Sequence, residues 1–146
     1  MICFTYLESP IQPLLLTSDG QSLTGLFMVE SRYPPVMDGD WQCNDDAEPF
    51  AETRRQLQAY FEGELTAFDL PLAMRGTGFQ RRVWQELMQI PYGTTVSYGE
   101  MARRIGNPNG SRAVGAANGR NPISIIIPCH RMVGSTGKLV DYGGGL

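Results

Sequence analysis

Cys129 stands beside His130, the single histidine of the chain, and Arg131 follows directly. A thiolate, not a thiol, is the nucleophile, and a free cysteine near pKa 8.5 is only about 3% ionised at neutral pH. Nearby cations lower that pKa and a histidine accepts the proton, so Cys129-His130-Arg131 offers a nucleophile, a base and a cation together. The competing reading is a buried structural cysteine. A hydrolytic cysteine enzyme would also need an oxyanion hole, which the sequence does not declare. The three cysteines, Cys3, Cys43 and Cys129, are an odd number without short spacing. That argues against a disulfide framework and fits a reducing compartment. With one histidine besides, they do not make the four-ligand spacing of a structural zinc site, so no metal and no cofactor are expected.

The elements around the thiol follow from pattern. Ile123–Ile127 is β-branched and apolar apart from Ser124, and is predicted to be a buried strand delivering Cys129 to a pocket. Neighbours on an extended strand point to opposite faces, so His130 is expected to reach the sulfur through a bend or a bridging water. Upstream, Thr77-Gly78-Phe79-Gln80 fits a capping box, opening a helix with Phe79, Val83, Trp84 and Leu87 on one stripe. Ser97-Tyr98-Gly99-Glu100 is a second such box, opening a short helix through Met101, Ala102 and Ile105. Asn107-Pro108-Asn109-Gly110 is a turn. Ser111 is expected to cap a third helix, Arg112 to about Asn118. Two short helices across a tight turn resemble a helix-turn-helix. The third helix is nearly without bulk, with Ala113, Gly115, Ala116 and Ala117, so its backbone can approach another helix or a nucleic-acid groove. Arg112 in its first turn opposes the helix dipole, which invites a functional explanation.

The first half reads as a small sheet with a helix. Ile2–Leu7, Ile11–Thr17 and Ser22–Val29 are strand-like, 31–49 is expected to be loop, and Ala51–Phe61 a helix whose apolar side is Leu57, Tyr60 and Phe61. Charge is divided unevenly. Residues 1–70 carry three basic against twelve acidic side chains, a balance of -9, and residues 71–146 carry nine against three, a balance of +6. A basic half is the footprint of a polyanion-binding surface. No apolar run approaches membrane-spanning length, and Met1–Pro10 lacks the plan of a signal peptide, so a cytoplasmic protein without a membrane partner is expected.

Arg112-Ala-Val-Gly-Ala-Ala-Asn118, Asn121-Pro122, Ile127-Pro-Cys-His-Arg131 and Tyr142-Gly-Gly144 resemble the O(6)-alkylguanine-DNA alkyltransferase family, also called methylated-DNA–protein-cysteine methyltransferases. Gly76-Thr-Gly-Phe-Gln80, Trp84 and Ile90-Pro-Tyr-Gly93 match as well. The specific resemblance covers roughly residues 50–146. It implies an α/β (α+β) protein, with a ribonuclease-H-like sheet and helix in 1–70 and a winged helix-turn-helix in 71–146. It implies a monomer without cofactor that binds duplex DNA containing O(6)-alkylguanine (O(4)-alkylthymine being a further substrate), flips the damaged nucleotide and moves its alkyl group irreversibly to Cys129.

The roles implied are specific. His130 activates Cys129 through water, and Asn121 is the hinge between recognition helix and active-site strand. Tyr98 presses on the neighbouring phosphate and contacts the base, and Arg112 fills the space of the flipped base. The recognition helix, with Ser111, Ala113, Gly115 and Ala116, enters the minor groove. Tyr142 walls the pocket, while backbone groups of Cys129, Met132 and Gly143 read the guanine edge. The family continues beyond its Gly-Gly motif into a helix whose glutamate polarises the histidine. This sequence stops at Leu146, inside that motif, so a further tail is expected in the natural protein. Asp141 replaces the usual glycine. The alternatives are a non-catalytic module that recognises alkylated DNA, whose relatives lack the acceptor cysteine, and a transcription regulator, which leaves Pro128–Arg131 unused.

Overall fold

The computed structural model describes residues 2–28 and 41–133 and divides the chain into two compact units, Met1–Ala73 and Met74–Leu146. In the first unit, β1 (Ile2–Leu7), β2 (Leu14–Ser18), β3 (Leu23–Met28) and β4 (Trp41–Cys43) form a sheet of order β3-β2-β1-β4, followed by α1 (Phe50–Phe61). β2 is antiparallel to β1 and β3, whereas β4 runs parallel to β1 with Ile2 opposite Trp41. Leu14, Leu16, Leu23, Leu26, Phe50 and Leu57 are fully buried, which makes this face of sheet and helix the core.

Two expectations for this unit are corrected. β2 begins at Leu14, not Ile11, because the Ser9 hydroxyl accepts the Gln12 N–H at 3.2 Å and bends residues 9–12, while Pro13 has no N–H for a ladder. Part of the expected 31–49 loop is β4, a three-residue edge strand too short to show alternation and anchored by contact of the Trp41 and Phe4 rings. In α1 the buried residues are Phe50, Thr53, Gln56 and Leu57, with Tyr60 and Phe61 only half-buried. Gln56 is inside because its amide clips the following segment, donating to Asp69 O and accepting from Asp69 N–H, each at 2.9 Å.

The second unit contains α2 (Gly78–Leu87), β5 (Val96–Ser97), α3 (Tyr98–Arg104), α4 (Ser111–Gly119), a 3-10 turn at Cys129–Arg131 and β6 (Met132–Val133), which pairs parallel with β5. The Thr77 capping box is complete: Thr77 Oγ1 accepts from Gln80 N–H at 3.0 Å and Gln80 Oε1 from Thr77 N–H at 2.9 Å. At Ser97 the hydroxyl accepts from Glu100 N–H at 3.0 Å. α3 ends on Gly106, whose φ of 81° carries the chain into the left-handed region at the start of the turn. α2 and α3 both pack on α4, and the Trp84 indole N–H donates to Ala117 O at 2.9 Å, tying α2 to the end of α4. Ser111 does not cap α4; Gly110 takes that place and Ser111 is the first helical residue.

The largest departure is Ile123–Ile127. These residues are buried as expected, but only Ile123 makes a β-bridge, and Ser124–Ile126 turn instead of continuing a strand. Pro122 and Pro128 bracket them and cannot donate to a ladder. Asn121 takes two of their backbone groups: its amide donates to Ile127 O at 2.7 Å and accepts from Ile123 N–H at 2.9 Å. Ile127 N–H bonds Ile123 O at 3.0 Å, and Ile125 is held at φ 72°. A β-branched residue in that region is strained by about 1–3 kcal/mol. Among the described residues, no helix is long and apolar enough to cross a membrane.

Candidate active site

The turn loop 121–128 presents Cys129 at its end, 2% exposed. Because Cys129–Arg131 is a 3-10 turn, the alternation expected of a strand does not govern where His130 points. Burial pushes the Cys129 thiol up to about 11, against the pull of the Asn121 amide and the backbone N–H groups of Cys129 and His130. The expected lowering by neighbouring cations is therefore absent. Arg131 is engaged elsewhere, donating to Ile90 O at 2.6 Å with its guanidinium 5.7 Å from the Tyr92 ring centre. Burial, and then the Arg131 charge, hold the His130 pKa below its ordinary value, so the imidazole is neutral near pH 7 and free to accept a proton.

A cleft of about 370 Å³ is lined by Tyr98, Gly99, Ser111, Arg112 and Gly115, and Tyr98 links it to Cys129, whose charge it feels. Four of these were singled out from sequence; Gly99 was not. Gly115 is explained by Tyr98: a Cβ there would stand 3.2 Å from the ring's Cε2, so the missing side chain is what lets the phenol lie on α4. The small residues of α4 thus divide. Val114, Ala117 and Asn118 face the core, while Arg112, Ala113 and Ala116 are exposed on one outer face. Met132 is buried in β6 opposite Val96. Tyr142, Gly143 and Asp141 lie outside the described residues. No group of three or more His, Cys, Asp or Glu side chains suited to a metal occurs among the described residues.

Asn118 was missed by residue-type reasoning. It is 1% exposed, and neither its amide nitrogen nor its oxygen has a well-formed hydrogen bond. Leaving such a group unmatched costs about 1–3 kcal/mol. The signal was in the sequence, since Asn118 continues the i, i+3, i+4 stripe of Val114 and Ala117. It meets Tyr98, whose phenol is pushed up by burial, pulled down by the Asn118 amide and pushed up again by nearby Cys129.

Known proteins match this chain along its whole length. Residues 2–74 match the family model of the 6-O-methylguanine DNA methyltransferase ribonuclease-like domain, and residues 78–146 that of the DNA binding domain. The methylated-DNA–protein-cysteine methyltransferase of Mycobacterium leprae is 53% identical over 146 residues, covering 100% of this chain and 87% of that protein. Its counterpart in Methanosarcina acetivorans is 50% identical over 143 residues, covering 98% and 90%. The crystal structure of Mycobacterium tuberculosis OGT in complex with DNA aligns with a TM-score of 0.92 at 52% identity, over 98% of this chain and 85% of that one. With both of its units accounted for, and with relatives half identical along its length, this chain belongs to the 6-O-methylguanine DNA methyltransferase family.

Proposed function

We infer that this protein repairs alkylated DNA by transferring the alkyl group of O(6)-alkylguanine in a duplex to Cys129. The observation that carries the reading is the enclosed Cys129 beside a neutral His130, at the end of a loop locked by Asn121. Cys129 Sγ attacks the alkyl carbon; the S–C bond forms as the C–O6 bond breaks, and that electron pair returns to the guanine. His130 accepts the thiol proton, directly or through water, and passes it to the guanine. A thioether has no easy path back to a thiol, so each molecule acts once. The Tyr98 phenol stays protonated and is a donor to the nucleotide, and Arg112, exposed at the cleft, fills the gap left in the stack. The outer face of α4, small and uncharged at Ala113 and Ala116, suits close approach to a minor groove. The protein acts as a monomer in the cytoplasm, where its three free thiols persist.

Intact-mass measurement after incubation with duplex O(6)-methylguanine DNA tests this. One methyl group per molecule, mapped to Cys129 and absent in Cys129→Ser, is the expected result. Continued turnover, or label on Cys3 or Cys43, would contradict it. Binding without mass gain would instead favour a non-catalytic recognition module.

A further inference from the structure

Among the described residues, Asn118 is the buried polar side chain neither of whose amide atoms makes a well-formed hydrogen bond, although the amide lies close enough to the Tyr98 phenol to act on it. It lies on the inner face of α4, three residues beyond Gly115, where the Tyr98 ring rests. Residues i and i+3 share a helix face, so a phenol laid across Gly115 carries its hydroxyl toward Asn118. The coupling of Tyr98 to both Asn118 and Cys129 puts the three groups at one place. The other amide nearby, Asn121, is already engaged with Ile127 O and Ile123 N–H. A leucine would fill the volume of Asn118 with nothing left unpaired, so an asparagine there points to a partner that completes its bonding during function.

We propose that Asn118 is a positioning residue for alkyl transfer: its amide N–H donates to the Tyr98 oxygen as the nucleotide enters, turning the phenol's own hydrogen outward to donate to that nucleotide. A lone hydroxyl can turn its hydrogen either way, whereas an amide NH₂ has only hydrogens to offer, so this contact fixes the polarity of Tyr98. The proposal rests on the alkyl-transfer reading and names how one side chain of that site is aimed.

The test compares wild type, Asn118→Leu, Asn118→Asp, Tyr98→Phe and the Asn118→Leu/Tyr98→Phe double variant. Two quantities are read: the single-turnover rate of transfer from duplex O(6)-methylguanine DNA, and the thermal midpoint. Asn118→Leu should transfer about 5- to 10-fold more slowly, the scale of one neutral hydrogen bond. Its thermal midpoint should equal or exceed that of wild type, because a buried amide without a well-formed hydrogen bond has been replaced by an apolar side chain of similar size. Asn118→Asp, nearly isosteric but an acceptor when ionised, should draw the phenol hydrogen inward and be at least as slow. In the Tyr98→Phe background, Asn118→Leu should bring no further loss. A wild-type rate in Asn118→Leu, an equal loss with and without the Tyr98 hydroxyl, or a fall in thermal midpoint that tracks the rate would each overturn the proposal. If wild type itself transfers nothing, the alkyl-transfer reading falls and this one with it. Transfer by wild type with an indifferent Asn118 removes this one alone.

Discussion

Cys129 is a nucleophile held in reserve as a thiol. An amide and two backbone N–H groups favour the anion, yet burial outweighs them and raises the pKa to about 11. Each unit corresponds to about 1.36 kcal/mol. The sign is that of a raised acid: below pH 9 the thiol is protonated in both folded and unfolded chains, and between 9 and 11 only the unfolded chain ionises. Folding stability should therefore fall by about 2–3 kcal/mol across that window. Denaturant titrations of wild type and Cys129→Ser at pH 8, 9.5 and 11 isolate the contribution, since Cys129→Ser should lack this part of the loss. Arg112, exposed at the cleft mouth, is the complementary case of a residue with no structural duty in view. Arg112→Ala should slow repair in duplex DNA more than repair of the free alkylated base, because only the duplex requires extrusion, which costs a few kcal/mol. Equal losses on the two substrates would assign Arg112 another task.

Among the elements, local chemistry made the helices legible and misled at the loop. Thr77-x-x-Gln80 states a helix start outright, and the stripe of Val83, Trp84 and Leu87 is the face that is buried. Ile123–Ile127 carries strong strand preference, but strand propensity reports only a fit to a pleated surface. Here Pro122, Pro128 and the Asn121 clip leave no free ladder, and no composition rule weighs a single side chain against five residues. β4 was hidden for a different reason: three residues are too few for a period to show. The adjacency of a thiol and an imidazole at Cys129 and His130 could be read from residue type, whereas the elevated thiol pKa depends on burial that only the fold creates. The tie from Trp84 to Ala117 likewise joins residues far apart in sequence. Trp84→Phe removes the donor and leaves Ala117 O with the Arg120 N–H alone, at 3.1 Å. It should lower stability by about 0.5–1.5 kcal/mol, the scale of one hydrogen bond, in denaturant titration and reduce DNA affinity in proportion to the loosening of α4.

For the whole molecule, the net charge of -3 conceals two units of opposite character. Residues 71–146 hold nine of the twelve basic side chains, and the DNA-facing candidates all lie there. Affinity for undamaged duplex should therefore fall steeply as salt rises, each phosphate contact contributing about 0.9 to the log–log slope. Ala116→Glu adds a like charge on the exposed face of α4, where nothing needs repacking. It should weaken DNA binding most at low salt and leave the thermal midpoint nearly unchanged. Fluorescence anisotropy across a salt series checks both statements; an affinity indifferent to Ala116→Glu would move the DNA to a different face.

A protein that acts once has to survive its idle time. Cell interiors contain peroxides and stray electrophiles, and a sulfur that met them freely would be lost before any lesion appeared. Oxidation and chance alkylation both follow thiolate content and exposure. The 2% exposure of Cys129 withholds both, while Cys43 stands in the open. Concealment thus sets the shelf life of the molecule, and the slow chemistry of the resting thiol is the condition under which a single-use repair reagent can be kept in stock.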